Sequence, residues 1–495
     1  MKTENSSFSR RSFIKTATSS LAGITILPSN VIAGLGHRPP SDKLNIAGIG
    51  IGGMGYRNLK NMELENIVAL CDVDAEYANR NSLREWPLAA RYSDYREMFD
   101  HQKDIDAVVI ATPDHTHALP AMLAMRQGIH VYLQKPLAHS VYESRVLAET
   151  AKRYGVATQM GNQGNSGDGI RDICEWIWAG KIGEVTHVDA WTNRPIWPQG
   201  LERPSKEMRI PKTLNWDAFI GPAKMRPYNE IYHPWNWRGW WDFGTGALGD
   251  MACHILDPVF KALMLEYPDS VQASSTNFTT DSAPNAQTIY YEFPARDNLP
   301  KVAMPAVTVN WYDGGLMPPR PDELKEGEEM GDRDGGCIFY GTKGKIMCGT
   351  YALNPRLLPT SEMAHFEKPM RQFRRIPDAM TGGHEKDWIR ACKESRDNRV
   401  EASSNFGYAG PLNEMVMLGV LAVRLQSLGR KLKWEGATMQ FTNIMPDDKL
   451  SILRKSDFEV IAGDPRFNNQ YLELPAQPMA EEWIRHTYRK GWEQI

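Results

Sequence analysis

The chain has 495 residues, with 57 lysines and arginines against 60 aspartates and glutamates, and a formal net charge of −3. This balance, with no basic run after the N-terminal segment, gives no electrostatic footprint for nucleic acid, and we expect no nucleic-acid partner. The length exceeds one core of ordinary size, so two domains are expected. The six cysteines are scattered among apolar neighbours, which indicates small buried residues and not a disulfide framework.

The N-terminus carries a predicted export signal. Arg10 and Arg11 lie in the run SRRSFIK, close to the twin-arginine consensus S-R-R-x-F-L-K, and a mildly apolar segment follows at about 16–28. The predicted signal ends at Ala33, which is small enough for signal peptidase, and about a dozen apolar residues are too few to span a bilayer. We predict a signal peptide at 1–33, passage through the twin-arginine translocase, a periplasmic location and no membrane anchor. The alternative is a disordered basic tail.

A glycine-rich loop follows the first predicted strand, at 43–48. Gly48, Gly50 and Gly53 match G-x-G-x-x-G, which provides a tight turn, close backbone approach to a pyrophosphate and close helix–strand packing. The helix predicted at about 54–62 would present its N-terminal amides to the phosphates. The sequence therefore predicts a dinucleotide-binding loop, whose cofactor-binding residues are Gly48, Gly50, Gly52, Gly53 and Met54.

A carboxylate follows the second predicted strand, at 66–71. Asp72 lies 19 residues after Gly53, where a carboxylate accepts hydrogen bonds from a ribose 2′-hydroxyl and repels a 2′-phosphate. We therefore predict NAD rather than NADP as the cofactor. The alternative is that Asp72 caps a helix, although Asp74 is better placed for that role.

Strands and helices continue to alternate up to residue 134. Strands predicted at 106–111 and 130–134 flank a helix predicted at 119–127, and repeated units of this kind form a parallel, doubly wound sheet. We therefore predict an α/β chain that begins with a Rossmann dinucleotide-binding domain at 34–164.

Two motifs give the chain a family resemblance. It reads ATPDHTH over 111–117 and QKP over 134–136, with Leu137 and Ala138 behind. Together with the glycine loop, these motifs resemble those of the Gfo/Idh/MocA family, named after glucose–fructose oxidoreductase and inositol 2-dehydrogenase. The chain departs from the family's E-K-P motif at Gln134 but retains its lysine. The resemblance implies NAD(P) chemistry, and it assigns to the cofactor Thr112, Pro113, His117 and Lys135.

The second half contains strand-like segments separated by loops. A long ordered loop, rich in proline and tryptophan, is predicted at 194–239. Runs of strands suit an antiparallel or mixed sheet, and the resemblance implies that this sheet is open-faced. We predict an α+β substrate-binding domain at 165–495 with an open-faced, mainly antiparallel sheet. The predicted strands lie at 185–191, 288–293, 306–311, 337–341 and 344–347.

A polar face on an otherwise apolar helix is the clearest chemical signal. Asp250, His254 and Asp257 share one face of a helix predicted at 244–257. Oxidation of an alcohol carbon needs a base for the hydroxyl proton and positive charge or donors for the developing alkoxide. The resemblance assigns the catalytic group to Lys135, Asp250 and His254, with the histidine as proton acceptor.

Two points about this helix stay open. Pro258 disfavours helical geometry at the preceding residue, so a kink would turn Asp257 off the shared face. Asp250, His254 and Asp257 also suit a metal site of one imidazole and two carboxylates. No metal is predicted, because the nucleotide fold already accounts for the polar face.

Four tryptophans directly precede this helix, interleaved with Asn236 and Arg238. Aromatic faces stack on pyranose rings while amide and guanidinium groups bind hydroxyls, although an aromatic core cluster is an equal alternative. The residues predicted to contact a sugar are Asn162, Gln163, Arg238, Trp241, Asp250, His254 and His384.

These features predict a periplasmic NAD-dependent oxidoreductase that transfers a hydride between a secondary hydroxyl of a sugar or glycoside and a tightly held cofactor. The resemblance implies the C3 hydroxyl and a homo-oligomer formed through the open sheet. The twin-arginine route carries folded proteins into a compartment not expected to supply free cofactor, so redox would close with a second sugar. The alternatives are a glycoside hydrolase that uses NAD transiently and a sugar-binding protein without chemistry.

Overall fold

The computed structural model describes residues 42–296 and 303–493, and the signal peptide predicted at 1–33 lies outside them. The first part of the chain builds a six-stranded sheet in the order 3-2-1-4-5-6, with every pair parallel. In this order the winding reverses between β1 and β4 and leaves a crevice at their carboxyl ends. The predicted Rossmann domain is confirmed. Its strands are β1 (Asn45–Ile49), β2 (Asn66–Cys71), β3 (Ala90–Tyr92), β4 (Ala107–Ile110), β5 (His130–Leu133) and β6 (Thr158–Met160).

Some of the connecting helices begin at a side chain that caps them. The Asp74 carboxylate accepts the amides of Glu76 and Tyr77 at 3.0 and 3.2 Å, as expected for the helix cap. Ser140 Oγ accepts the Glu143 amide at 3.1 Å in the same way. The helices are α1 (Met54–Asn61), α2 (Ala75–Asn79), α3 (Ser82–Glu85), α4 (Tyr95–His101), α5 (Ala118–Arg126) and α6 (Val141–Tyr154).

The second sheet has nine strands in the order 13-12-11-7-10-9-8-14-15. Among its described pairs, β7 with β10 is parallel and the others with a given register are antiparallel, so the mainly antiparallel sheet is confirmed. Its strands are β7 (Val185–Thr192), β8 (Ser270–Ser275), β9 (Gln287–Phe293), β10 (Val307–Tyr312), β11 (Gly335–Gly341), β12 (Gly344–Gly349), β13 (Arg356–Leu358), β14 (Leu432–Glu435) and β15 (Gln440–Phe441).

One face of this sheet carries partly exposed polar side chains. Along β9 and β10 buried residues alternate with more exposed ones, and Tyr290 is 41% exposed. On the same face Asn310 Nδ2 donates to Asp189 Oδ1 at 3.2 Å. Alternation of this kind is typical of a sheet with one packed face and one open face.

Helices pack the opposite face, and the remaining strands form hairpins. Of the described helices, the one running from Phe406 to Leu428 is long and apolar enough to cross a membrane, but 83% of its apolar window is buried inside the protein. The helices are α7 (Asp168–Trp178), α8 (Trp216–Ile220), α9 (Gly246–Ile255), α10 (Asp257–Ala262), α11 (Gly383–Lys393), α12 (Phe406–Leu425) and α13 (Ala476–Arg485). The hairpins pair β16 (Lys449–Lys455) with β19 (Gln470–Pro475) and β17 (Phe458–Ile461) with β18 (Asp464–Phe467).

Helix α12 bonds to both halves of the structure. Asn413 Oδ1 accepts the Leu137 amide at 3.0 Å, and its Nδ2 donates to Ala138 O at 3.0 Å. The same Oδ1 lies 3.7 Å from Cys253 Sγ on α9. Residues 45–495 accordingly form a single compact unit, and the boundary at 164/165 stays a prediction.

All six cysteines are buried and free, in agreement with their apolar neighbours. The structure nevertheless brings two of them together, because β11 and β12 pair Cys337 with Cys348. Their Sγ atoms are 3.3 Å apart.

Candidate active site

The glycine loop lies at the carboxyl end of β1, but its register differs from the predicted one. Gly48 is inside β1, paired with Leu70 and Val109, and a Cβ there would meet the Leu59 side chain at 2.7 Å. Gly48 therefore packs a helix against the sheet and does not line the crevice. Its prediction as a cofactor-binding residue is wrong.

The run 48–55 matches the glycine pattern a second time, starting at Gly50, and the turn follows this second match. Gly50 has φ +75°, and a Cβ on it would lie 2.7 Å from the Ala111 backbone. A Cβ on Gly55 would lie 2.1 Å from Gly50 O, so Gly55 supplies the close helix–strand packing. The working pattern is Gly50, Gly52 and Gly55, and the packing role predicted for Gly53 is wrong. Of the predicted residues, the crevice wall includes Gly50, Gly52, Gly53 and Met54.

Asp72 fixes this loop from the end of β2. Its Oδ2 accepts the Ile51 amide at 2.8 Å and its Oδ1 accepts the Asp74 amide at 3.0 Å. Burial raises the pKa of Asp72 to about 6, although the two amides oppose that shift. Asp72 also lines the crevice, so its contact with a ribose hydroxyl stays a prediction.

The second loop of the crevice carries the ATPDHTH motif. Thr112 and Pro113 line the crevice, and Thr112 Oγ1 is buried without a partner among the described residues. His117 faces away: its Nδ1 lies 2.7 Å from Pro136 O and its Nε2 lies 2.8 Å from Thr112 O. His117 joins the two loops, so its predicted contact with the cofactor is wrong.

The crevice fits a dinucleotide on two of these observations. The Gly50–Gly55 turn leaves backbone where a side chain would block a phosphate, and Thr112 Oγ1 is an unpaired buried hydroxyl beside it. Gly50, Gly52, Gly53 and Thr112 would hold the cofactor.

Lys135 reaches across from the QKP turn to helix α9. Its Nζ donates to both Asp250 O and Asp250 Oδ1 at 2.9 Å, and Arg238 Nε donates to the same Oδ1 at 3.2 Å. Burial alone would raise the pKa of Asp250, but the charges of Lys135 and Arg238 outweigh it and hold the pKa well below its usual range. Asp250 is therefore an ionised carboxylate between two cations.

His254 lies one turn after Asp250 on α9 and is 4% exposed. Burial, and then the positive charge of Lys135, lower the pKa of His254 well below its usual value, while Asp250 acts in the opposite direction. Its Nδ1 is buried without a partner among the described residues. The ring is therefore neutral and able to accept a proton.

A tyrosine that sequence reasoning missed packs on this histidine. The ring of Tyr351 meets the ring of His254 edge-on, with centroids 4.6 Å apart. Tyr351 has φ +61° and Ala352 has φ +59°, which is a strained conformation for side chains of this kind. The segment follows β12, far from α9 in the chain, and no motif in the sequence marks it.

Helix α9 starts beside a second buried carboxylate. Asp114 Oδ2 accepts the amide and the hydroxyl of Thr245 at 3.1 and 2.7 Å, just before α9 begins. Burial raises the pKa of Asp114 to about 7. Asp114 therefore ties the nucleotide domain to the helix that carries the acid–base residues.

Asp257 lies outside this group, as the position of Pro258 predicted, because α9 ends at Ile255 and a new helix starts at Asp257. Its carboxylate accepts Asn162 Nδ2 at 3.0 Å and Asn165 Nδ2 at 2.8 Å. Within residues 42–296 and 303–493, no group of three or more metal-ligating side chains comes together.

Arg238 is held by tryptophans. Its guanidinium lies 4.0 Å from the centroid of Trp235 and 4.3 Å from that of Trp237. Trp235 is 49% exposed and lines the crevice, whereas Trp240 is fully buried in an aromatic cluster. The tryptophans therefore divide into two groups. One group belongs to the aromatic core, and the other positions Arg238 against Asp250.

The other predicted sugar contacts are scattered. Asn162 is buried with its Oδ1 unpaired among the described residues, and Gln163 is half-buried on the turn that follows. Trp241 donates to Thr279 O at 3.2 Å and faces a different cavity. His384 is fully buried: its Nε2 lies 2.8 Å from Met160 O and its Nδ1 2.6 Å from a serine hydroxyl, so its predicted substrate contact is wrong.

The departure at Gln134 has a structural counterpart. Gln134 Nε2 donates to Asn58 Oδ1 at 2.9 Å, and Asn58 Nδ2 donates to Glu385 Oε1 at 2.8 Å. A carboxylate thus remains near the QKP turn, two hydrogen bonds away. Glu385 comes from α11, and neither it nor Asn58 was predicted.

Part of the predicted 194–239 loop fastens onto the end of β2. The Asn215 amide donates to Val73 O at 2.8 Å, the Ala75 amide donates to Thr213 O at 3.0 Å, and His233 Nε2 lies 2.9 Å from an Asp74 carboxylate oxygen. We call residues 213–238 the strap. Within the strap, Trp235, Trp237 and His233 line the crevice.

A dinucleotide crevice lined by a lysine, whose carboxylate partner lies one helical turn from a neutral imidazole, is the arrangement expected of a pyridine-nucleotide oxidoreductase. Residues 44–162 match the family described as "Oxidoreductase family, NAD-binding Rossmann fold", and residues 173–297 match "Oxidoreductase family, C-terminal alpha/beta domain". Both are models of Gfo/Idh/MocA domains, and the first describes an NAD-binding fold.

Individual relatives are distant. A glycosyl hydrolase family 109 protein of Shewanella pealeana is 28% identical over 205 residues, which cover 37% of this chain and 45% of the relative. Levoglucosan dehydrogenase of Pseudarthrobacter phenanthrenivorans is 26% identical over 170 residues, 33% of this chain and 34% of the relative. The chain thus spans less than half the length of these curated relatives.

Solved structures share the fold. The levoglucosan dehydrogenase complex with NADH and levoglucosan superposes with a TM-score of 0.52 at 18% identity, covering 78% of this chain and 98% of that one. The WlbA dehydrogenase of Bordetella pertussis, in complex with NADH and UDP-GlcNAcA, gives 0.53 at 17% identity, covering 79% and 99%.

Proposed function

We propose that this protein is a periplasmic NAD-dependent oxidoreductase acting on a secondary hydroxyl of a sugar or glycoside, with C3 as the position of attack. The observation that carries the proposal is the Lys135–Asp250 ion pair across the crevice, one helical turn from a neutral His254. The names of the relatives, a family 109 glycosyl hydrolase and a levoglucosan dehydrogenase, support a carbohydrate substrate.

The residues divide the work of alcohol oxidation. NAD held by Gly50, Gly52, Gly53 and Thr112 would supply the hydride acceptor for the carbinol carbon. His254 accepts the hydroxyl proton, because burial keeps its ring neutral before the reaction. Lys135 lies beside the same site and stabilises negative charge on the oxygen. Asp250 orients Lys135 and favours the imidazolium that forms.

The proposal includes a cofactor that stays bound between turnovers. The strap supports this, because it joins the wall of the crevice to the end of β2 through two backbone bonds and the His233–Asp74 pair. The reduced cofactor would then be reoxidised in place by a second sugar or keto-sugar. Export by the twin-arginine translocase and a homo-oligomer formed through the open sheet face complete the proposal.

Replacing His233 with alanine should accelerate NAD release by roughly tenfold, because it removes one charged hydrogen bond from the strap. The measurement is the cofactor remaining after timed gel filtration. His187→Ala is the matched control, since His187 also pairs with an aspartate, Asp189 at 3.0 Å, but on the open sheet face. Equal release from both variants would contradict a retaining role for the strap.

The test of the function is product analysis. Protein purified without added nucleotide should contain NAD by mass spectrometry and should convert a glycoside to its 3-keto product with an artificial electron acceptor. Absence of a keto product from every sugar tested, with NAD present, would contradict the proposal.

A second candidate is a glycoside hydrolase that oxidises C3 transiently, eliminates the aglycone, adds water and reduces the sugar again. The family 109 relatives favour it, and so does Tyr351, which places a second ionisable group against His254. Release of free sugar from an aryl glycoside without net NADH would distinguish it from the dehydrogenase.

A further inference from the structure

A second cavity, of about 240 Å³, lies apart from the crevice. Its walls come from α12, α13, the β16–β19 hairpin and the start of α6, and it includes Trp241. Lys135, Asp250 and His254 are not among its lining residues. A function for the cavity must therefore come from its own side chains.

The cavity is built around Arg424, in the last turn of α12. The guanidinium stacks on Trp483 at 3.8 Å from the ring centroid and lies 5.3 Å from that of Trp241. Across the described residues, no acceptor forms a hydrogen bond with this guanidinium. Burial lowers the pKa of Arg424 to about 9, so the group remains charged at neutral pH. A charged guanidinium with five N–H donors and no acceptor is suited to bind an anion, although the nearby charges of Asp242 and Glu482 already favour its protonated form.

The carboxylates around the cavity are already engaged. Asp242 is bonded to Arg226, and Glu482 accepts the amide and the hydroxyl of Thr487 at 3.3 and 2.6 Å. Glu143 accepts the Tyr488 hydroxyl, and burial raises the pKa of this carboxyl to about 7. None of these groups bonds to Arg424.

Two stacked histidines form another part of the cavity wall. The rings of His139 and His486 stack with centroids 4.7 Å apart, and burial keeps both neutral by lowering their pKa values. His486 holds φ +60°, a strained conformation that persists where surrounding packing enforces it.

We propose that this cavity binds a small sugar acid, with its carboxylate on Arg424 and its hydroxyls against the polar side chains that line the wall. A carboxylate matches the planar donor fork of a guanidinium. The cavity volume of about 240 Å³ leaves room for a ligand of monosaccharide size. Trp241 is 4% exposed and carries the Arg424 guanidinium over its ring, so it supports the arginine, and its expected sugar contact stays a prediction.

The test is calorimetric titration of the NAD-containing protein with D-glucuronate. Saturable binding of one equivalent is expected, with at least a tenfold loss of affinity in Arg424→Gln. Arg203→Gln is the matched control: Arg203 also lines the cavity but is bonded to Asp281 and has a 55% exposed side chain, so this variant should bind as the wild type does. D-glucose and sulfate should not compete.

Three results would overturn the proposal: no binding of D-glucuronate to the wild type, equal binding to Arg424→Gln, or equal binding of glucose or sulfate. Thermal unfolding and NAD content of each variant establish that it is folded. Titration of His254→Asn with D-glucuronate separates the Arg424 cavity from the crevice. In this variant D-glucuronate should still bind to the cavity, while turnover in the crevice falls.

Discussion

Replacing His254 with asparagine should lower turnover by roughly 10²- to 10⁴-fold, the contribution of a positioned general base. NAD content should not change, because His254 does not line the cofactor crevice. Steady-state kinetics with the best glycoside substrate measures the effect. His187→Asn is the control, since that histidine lies on the open sheet face. Unchanged turnover in His254→Asn would assign the proton transfer to another group.

The pH profile provides a second measurement on the same residue. His254 works as a base only while neutral, and burial together with Lys135 lowers its pKa well below 6.5. Turnover should therefore stay constant as the pH falls from 8 to 6.5 and decline only at lower pH. An acid limb centred above pH 6.5 would contradict a buried, cation-facing imidazole as the base.

Replacing Gly55 with alanine should weaken NAD binding at least tenfold. The new Cβ would lie 2.1 Å from Gly50 O, so the turn that holds the phosphates must move. A misfit of this kind also costs roughly 1–3 kcal/mol of stability. Fluorescence titration with NADH, after removal of retained cofactor, measures the affinity, and thermal unfolding measures the stability.

Gly53→Ala is the matched control for this register. Gly53 has a negative φ of −114°, and its Cβ would meet only Tyr77 Oη, at 3.5 Å. Its affinity should stay within about threefold of the wild type. A severe loss in Gly53→Ala with a mild one in Gly55→Ala would restore the register read from the sequence alone.

Local signals in the sequence predicted the elements that local physics determines. The apolar run at 66–71 is the whole of β2, Asp74 caps α2, and the chain breaks its helix before Pro258. The family resemblance placed Lys135, Asp250 and His254 in one catalytic group, and the structure pairs Lys135 with Asp250, while their catalytic roles stay a prediction.

Features set by distant contacts were beyond such reasoning. The run GIGIGGMG satisfies the glycine pattern twice, and only the pairing of Gly48 with β2 and β4 shows where the strand ends. The sequence does not distinguish histidines that bond to buried carbonyls, such as His117 and His384, from histidines that bind a ligand. Tyr351 reaches the site from a remote segment that carries no motif, and Glu385 is the neighbour of His384, the residue that the sequence suggested in its place.

The double attachment of Asn413 has a consequence for how ligands enter. One side chain on α12 binds the residues after Lys135 and lies against the helix of His254. The segments that carry the lysine and the imidazole are thus both held by contacts to α12. A hinge motion between the two domains would break these contacts. We therefore expect substrates to enter through an opening that is present without domain motion, with movement limited to side chains and surface loops.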